Sequence, residues 1–414
     1  MTRERTQRNH EAAIGVDEAL ARILTFFSPL PGDDVPLLDG LGRALAADVR
    51  ARNAAPPFRN SAMDGYAIRS GDTVAPPVTL RVVGRIAAGQ SIDPPMAAGE
   101  AIRITTGAPT PRDADAVVRF EDVHEHGDWI DLSRSVRAGD NIRLAGEDIP
   151  AGAIVAGAGA EVTPAMIGSL ASAGISHVMA RRRPSVAILS TGNEVVEVGG
   201  SLTPGSIWNS NAPMLAALVR QAGGTVVPLG IARDSEADIR DRLLTADMPD
   251  LFITSGGVSV GDYDLVKDVL REEGSIDIWQ VAMKPGRPLA FGTLGTTPLL
   301  GLPGNPVAAW VSFLQFGWPA IRRMLGFASI GLPEMDARLA VALSDRAGRR
   351  SFVRGIASVS GGAVTVRPTD GQGSAMLGGL AQANCLIVIP ETYSSLDAED
   401  IVRILILPGS TIGA

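Results

Sequence analysis

LFITSGGVSVGDYD, residues Leu251 to Asp264, decides the reading of this chain. An apolar run of β type stops in Ser255-Gly256-Gly257, and two aspartates, Asp262 and Asp264, open the next helix. A strand ending in glycines exposes backbone N–H groups, and a helix N-terminus adds its positive dipole end, so the stretch is predicted to seat a phosphate or similar anion. Gly257 to Gly261 also spells G-x-S-x-G, which in a hydrolase would make Ser259 a nucleophile followed by its acid and histidine. All four histidines, His10, His124, His126 and His177, precede Ser259, so the ordinary order of that triad fails. A tight turn without a ligand is the remaining reading of an isolated Gly-Gly. Three more loops of the same kind tip the balance towards a binding crevice.

Working outward, strands and helices alternate beyond the basic linker Arg181-Arg182-Arg183-Pro184. VAILSTG is followed by a helix from Asn211, TVVPLGIA by a helix capped at Ser235 with Asp238 completing a capping box, and LFITSGG by a further helix. Strands near Ile276 and Leu289, then PLLGLPGNP and a long helix to about Leu325, continue the series. Such alternation predicts a doubly wound parallel sheet, in which ligands bind beyond the carboxyl ends of the strands. The loops expected there are Thr191 to Glu194, Ser255 to Gly261, Lys284 to Pro288 and Gly301 to Pro306. In the last, Asn305 is placed to cap the helix and Pro306 to occupy its first position, leaving N–H groups facing the loop.

Upstream, Val16 to Phe27 and Leu38 to Val49 carry helical periodicity, and short β-type runs between about Thr79 and Leu132 predict a β-rich insert. After Pro333 the periodicity changes to short β-runs, predicting a small C-terminal β-barrel. The expected organisation is α/β and multi-domain: residues 1–50 with 138–180 as a discontinuous domain, 51–137 as the insert, 181–328 as the doubly wound domain and 329–414 as the barrel.

The chain has 414 residues, an apolar fraction of 45% and a formal net charge of −8. That charge argues against general nucleic-acid binding, so an anionic ligand must be held by local cations and backbone donors. One cysteine, Cys385, excludes an internal disulfide framework and a multi-cysteine metal centre. No segment reads as a membrane span or secretory signal, and a cytoplasmic protein is expected.

Chemistry-bearing side chains gather at the loops. Asp64, Asp148, Glu194, Asp234, Asp262 and Asp264 are hard oxygen donors of the kind that suits Mg²⁺ bridging a phosphate, although each alone also reads as a turn carboxylate or helix cap. Lys284 and Arg287 flank a Pro-Gly pair that would hold two cations at fixed separation over an oxyanion; an exposed basic turn is the plain alternative. Arg103 with Thr105, Thr106 and Gly107 forms a polar turn able to take another.

These residues carry a strong resemblance. NSAMDGYA (Asn60 to Ala67), ITTGAP (Ile104 to Pro109), GEDI (Gly146 to Ile149), STGNE (Ser190 to Glu194), SGGVSVGDYD (Ser255 to Asp264), KPGRP (Lys284 to Pro288) and GLPGNP (Gly301 to Pro306) run in the order of the molybdopterin molybdenumtransferase family, the MoeA proteins and the gephyrin E domain. The resemblance implies an elongated homodimer with the insert of one subunit facing the α/β domain of the other. It implies that adenylylated molybdopterin and molybdate give molybdenum cofactor and AMP with Mg²⁺, the last step of cofactor synthesis. Partners so implied are a molybdopterin adenylyltransferase and the recipient molybdoenzymes or their chaperones; a molybdopterin-binding scaffold or carrier and a tungstate-specific paralogue are the alternatives.

By the same resemblance, Asp64, Thr106, Asp148, Glu194, Lys284 and Arg287 are catalytic, with Asp64, Glu194 and Asp264 near the metal. Ser255, Gly256, Gly257, Ser259, Asp234, Asp264, Pro303, Gly304, Pro306, Arg354 and Ser374 are expected to bind the pterin nucleotide. Three departures stand out. Asn193 and Asn209 replace aspartates common in the family, and Arg59 adds a positive charge beside Asp64.

Overall fold

The structure, a computed structural model, describes residues 13–257 and 265–413. Ser259, Asp262 and Asp264 therefore lie outside the described residues. The chain divides into two compact units, residues 33–180 and residues 1–32 with 181–414.

The larger unit contains the doubly wound sheet. Its strands are β1 (Ser185–Thr191), β2 (Thr225–Ala232), β3 (Leu251–Ser255), β4 (Gly274–Gln280), β5 (Pro288–Leu294) and β6 (Thr297–Leu302), in spatial order β2-β1-β3-β6-β5-β4. The first four in that order are parallel, whereas β5 pairs antiparallel with both β6 and β4. The alternation extrapolated through Ile276 and Leu289 thus ends in an antiparallel edge, a common finish for a parallel sheet. Helices α1 (Asn211–Ala222), α2 (Glu236–Leu244) and α3 (Leu265–Glu273) pack on it. Ala187, Leu189, Phe252, Ile239, Leu243 and Val269 form one fully buried cluster between sheet and helices.

Two expected caps differ in detail. Ser235 Oγ accepts from the Asp238 N–H, but the Asp238 carboxylate accepts from the Arg233 N–H instead of closing a box on Ser235. Asn305 occupies the cap position of the helix Pro306–Ser312 without a side-chain cap bond.

The same unit ends in a closed barrel of Glu334–Leu339, Arg350–Ser360, Ala363–Pro368, Cys385–Ile389 and Ile401–Ile406, since Arg350–Ser360 pairs with both Ala363–Pro368 and Cys385–Ile389. The N-terminal helix Val16–Leu24 packs here too: Arg350 reaches both oxygens of Asp17 at 2.7 Å, and Phe26 meets Phe291 edge-on at 5.1 Å.

The smaller unit holds a six-stranded sheet whose core includes Tyr66, Ile68, Leu80, Ala101 and Ile130. The helix expected over Leu38 to Val49 is absent. Leu37–Gly40 makes a short 3₁₀ turn, Gly42 takes φ +69°, and Val49–Arg50 pairs with Ile154–Ala156. Burial of Ala44 and Leu45, together with that strand pairing, overrides the local helical period.

Candidate functional site

A cleft of about 700 Å³ opens beyond the carboxyl ends of β1, β3 and β6. Three of the expected loops meet there, through Thr191, Gly192 and Glu194, through Ser255, Gly256 and Gly257, and through Pro303, Gly304, Asn305 and Pro306. Asp234, leaving β2, closes one side, and Ala375 and Leu377 from the C-terminal part of the same unit close another. Of the fourth expected loop only Pro288 lines the cleft.

Backbone geometry explains the glycines. A Cβ on Gly256 would stand 2.7 Å from Thr191 Oγ1 and 2.8 Å from the Thr191 carbonyl, at φ +94°. At Gly192, φ +145°, it would lie 2.7 Å from Glu194 Oε2, so the glycine lets that carboxylate fold back across its own loop. The glycine loop is less bare than expected, because the Gly256 N–H donates to the Leu302 carbonyl at 3.0 Å. The Val307 N–H is likewise taken, by the Ser374 carbonyl at 3.0 Å, so Ser374 touches the helix start through its backbone.

The two asparagines in place of aspartate are acceptors for backbone donors. Asn193 Oδ1 accepts from the Asp234 N–H at 3.2 Å while the Asn193 N–H donates to Asp234 Oδ2 at 3.1 Å, which ties the loop after β1 to the one after β2. Buried Asn209 accepts from Ser190 Oγ and from the Ala212 N–H, both at 3.1 Å, fixing the start of α1. An amide oxygen fills these positions as a carboxylate would.

Two buried oxygens on the cleft have no partner among the described residues, Thr191 Oγ1 and Asn211 Oδ1. Asn211 is held by donating to Ser255 Oγ at 2.7 Å and to the Gly304 carbonyl at 2.8 Å. Orphan polar atoms of this kind are costly to bury and call for a partner such as water or a ligand. Thr191 opens the first of the expected loops, whereas Asn211 reads in the sequence simply as a helix start.

Lys284 and Arg287 lie outside the cleft lining. Lys284 Nζ donates to Asp345 Oδ1 at 2.9 Å, and Arg287 Nε to Gln280 Oε1 at 3.3 Å. Asp345 itself is nearly buried and also accepts from Ser351 Oγ and the Arg346 N–H. Arg354 is 1% exposed and clamps the loop that reaches the cleft, donating to the carbonyls of Met376, Gly371 and Gly373. Burial lowers its pKa from the ordinary arginine value. In the smaller unit, Asp64 Oδ1 accepts from both the Thr106 N–H, at 2.7 Å, and Thr106 Oγ1, at 3.1 Å. Arg59 does not serve that carboxylate; it donates to the carbonyls of Pro111 and Ala114. Asp148 is exposed, with its N–H on the Ala55 carbonyl.

No three His, Cys, Asp or Glu side chains gather into a metal-binding group among the described residues. Glu194 and Asp234 nevertheless both line the cleft. Two carboxylates on one cleft are a donor set that fits Mg²⁺, which keeps several waters and takes few protein ligands.

Known proteins resemble this chain over most of its length. Residues 14–174 match the model of the MoeA N-terminal region (domain I and II), 187–323 a probable molybdopterin binding domain and 336–407 the MoeA C-terminal region (domain IV). A molybdopterin molybdenumtransferase of Haemophilus influenzae is 36% identical over 394 residues, covering 94% of this chain and 97% of that one. The molybdopterin molybdenumtransferase 2 of Mycobacterium tuberculosis is 40% identical over 370 residues, covering 86% and 90%. A crystal structure of a molybdopterin biosynthesis MoeA protein from Pyrococcus horikoshii superposes with a TM-score of 0.82 at 31% identity, covering 95% of this chain and 99% of the other. With cleft, domain models and near full-length relatives in agreement, the chain belongs to the molybdopterin molybdenumtransferase (MoeA) family.

Proposed function

We propose that this protein is a molybdopterin molybdenumtransferase, which takes adenylylated molybdopterin and molybdate to molybdenum cofactor and AMP. The observation that carries the reading is the cleft itself, where glycine loops at strand ends, two carboxylates and two unpartnered buried oxygens converge. It has the size of a nucleotide site and stands where doubly wound sheets bind ligands.

In this reading Glu194 and Asp234 would hold Mg²⁺, which when bound would supply positive charge for the phosphate chemistry. Asn193 keeps Asp234 in place through its reciprocal bonds. Thr191 and Asn211 supply the polar contacts that orient the nucleotide, while Lys284 and Arg287 attract the molybdate oxyanion. Asp64 with Thr106, and Asp148, are assigned to the same reaction by family likeness, as are Ser259 and Asp264. A homodimer working in the cytoplasm between a molybdopterin adenylyltransferase and a recipient molybdoenzyme completes the proposal.

The test is to incubate the purified protein with adenylylated molybdopterin and Mg²⁺, add molybdate or tungstate, and follow AMP. AMP release triggered by molybdate, with reconstitution of a cofactor-free molybdoenzyme, is expected. Retention of the nucleotide without release under either oxyanion would leave only a carrier. Sedimentation of the same sample is expected to give twice the chain mass.

A further inference from the structure

The rim of the cleft carries a feature that the loops and carboxylates leave unused. Trp208 lines the cleft with about half of its surface open, 51%. Its neighbours along this lobe, Val198, Leu202 and Ile207, are exposed as well. Together these side chains make an exposed apolar patch beside a polar cleft, the kind of surface that marks a ligand contact.

Backbone pairing and one side-chain bond hold Trp208 in place. Ile207–Trp208 pairs in parallel with Val195–Val196, the Ile207 N–H donates to the Glu194 carbonyl at 2.8 Å, and the Asn209 N–H donates to the Val196 carbonyl at 2.8 Å. Indole Nε1 donates to the Gly200 carbonyl at 3.0 Å. The only polar atom of the side chain is thus satisfied within the lobe, and what remains open at the cleft is carbon. Through the Ile207 bond the backbone that carries Trp208 is joined to Glu194, and both side chains line the cleft.

We propose that Trp208 is the stacking platform for a planar fused nitrogen heterocycle of the ligand, a positioning residue that sets affinity in place of chemistry. The inference rests on the pterin nucleotide being the substrate, which has two such rings, adenine and pterin. Aromatic stacking on a base suits an exposed ring whose polar edge is already bonded.

The experiment compares wild type, W208A and W208F in binding of AMP alone, in binding of adenylylated molybdopterin, and in molybdate-dependent AMP release. W208A is expected to raise the dissociation constant and KM by about 5- to 100-fold with kcat within about threefold, the range of one lost base–aromatic stack. W208F keeps a ring but not the bond to Gly200, and is expected to stay within about threefold of wild type. Tryptophan emission should be quenched by ligand in wild type and not in W208F.

Weaker AMP binding by W208A places adenine on the ring; loss confined to the full pterin nucleotide places the pterin there. Unchanged binding of both ligands by W208A overturns the inference. So does a W208F protein as damaged as W208A, which would make the indole a strut for its lobe. A wild-type protein that shows Trp208-dependent quenching but no AMP release leaves the platform standing and removes the transferase reading; normal turnover with W208A at wild-type KM does the reverse.

Discussion

At Asp345 burial and hydrogen bonding pull one carboxyl in opposite directions. Burial alone would raise its pKa, but bonds from Ser351, Lys284 and the Arg346 N–H outweigh it and hold the group at about 2. A carboxyl depressed in the fold contributes stability above its unfolded pKa and loses it as pH falls towards the folded value. D345N should therefore be less stable than wild type at pH 7 by on the order of 2 kcal/mol, with the gap closing between about pH 4 and pH 2. Denaturant midpoints across that range check it, and a constant gap would mean that packing, not charge, is what Asp345 supplies. The same scale governs Gly256. G256A forces a side chain into φ +94° and against Thr191, and should cost about 2–4 kcal/mol. Thermal unfolding and AMP binding should fall together; wild-type melting would show that the loop yields.

Among elements, the loop from Thr369 to Leu377 depends on one buried cation. Arg354 spends its guanidinium on three carbonyls of that loop, and Gln372 answers by donating to the Arg354 carbonyl at 2.9 Å. Lysine keeps the charge but cannot reach the same carbonyls in a planar fork. R354K is expected to lose about 2–4 kcal/mol of stability, the cost of buried donors and acceptors left unpaired. Because Ala375 and Leu377 line the cleft, AMP affinity should drop with it, and protease cleavage should appear between residues 369 and 377. An R354K protein with intact loop and weakened ligand binding would instead assign Arg354 to the ligand directly. This division also marks what the sequence makes legible. Glycine loops and helix starts depend on neighbouring residues, so Gly192, Gly256 and Pro306 were readable as cleft-formers. Lys284 with Asp345 and Arg354 with Gly371 are chosen by the tertiary fold, and a basic residue looks alike whether it faces an anion or a carbonyl. At Leu38 to Val49 the period was helical, but strand pairing and Gly42 decided otherwise.

On the scale of the molecule, the unit of residues 33–180 is an insertion into the other unit. The chain leaves and re-enters the larger unit at neighbouring points: the Arg182 N–H donates to the Pro31 carbonyl at 2.9 Å, and Arg181 Nη1 to the Leu30 carbonyl at 2.8 Å. On the re-entry side Arg182 forms a bidentate pair with Asp250, both bonds 2.6 Å, and Asp250 also accepts from the Ser185 N–H, which anchors the start of β1. Burial works against that carboxylate's charge, yet the Arg182 and Ser185 bonds leave its pKa below the ordinary value. None of these anchors uses a residue of the inserted unit, and the helix Val16–Leu24 reaches the barrel through Asp17 and Arg350. Two chain ends this close need only a few flexible residues to join, and short loops close at little entropic cost. A protein lacking residues 33–180, with Gly32 joined to Arg181 by a short glycine linker, should therefore fold with cooperative melting and retain AMP binding in the cleft. If Asp64, Thr106 and Asp148 act as proposed, it should also lose molybdate-dependent AMP release, since they depart with the insertion. Calorimetry, AMP titration and the release assay on that one variant separate the outcomes. Folding with binding but no release supports a cleft built by the larger unit and a need for residues 33–180 in the chemistry; full release from the shortened chain would remove Asp64, Thr106 and Asp148 from the reaction.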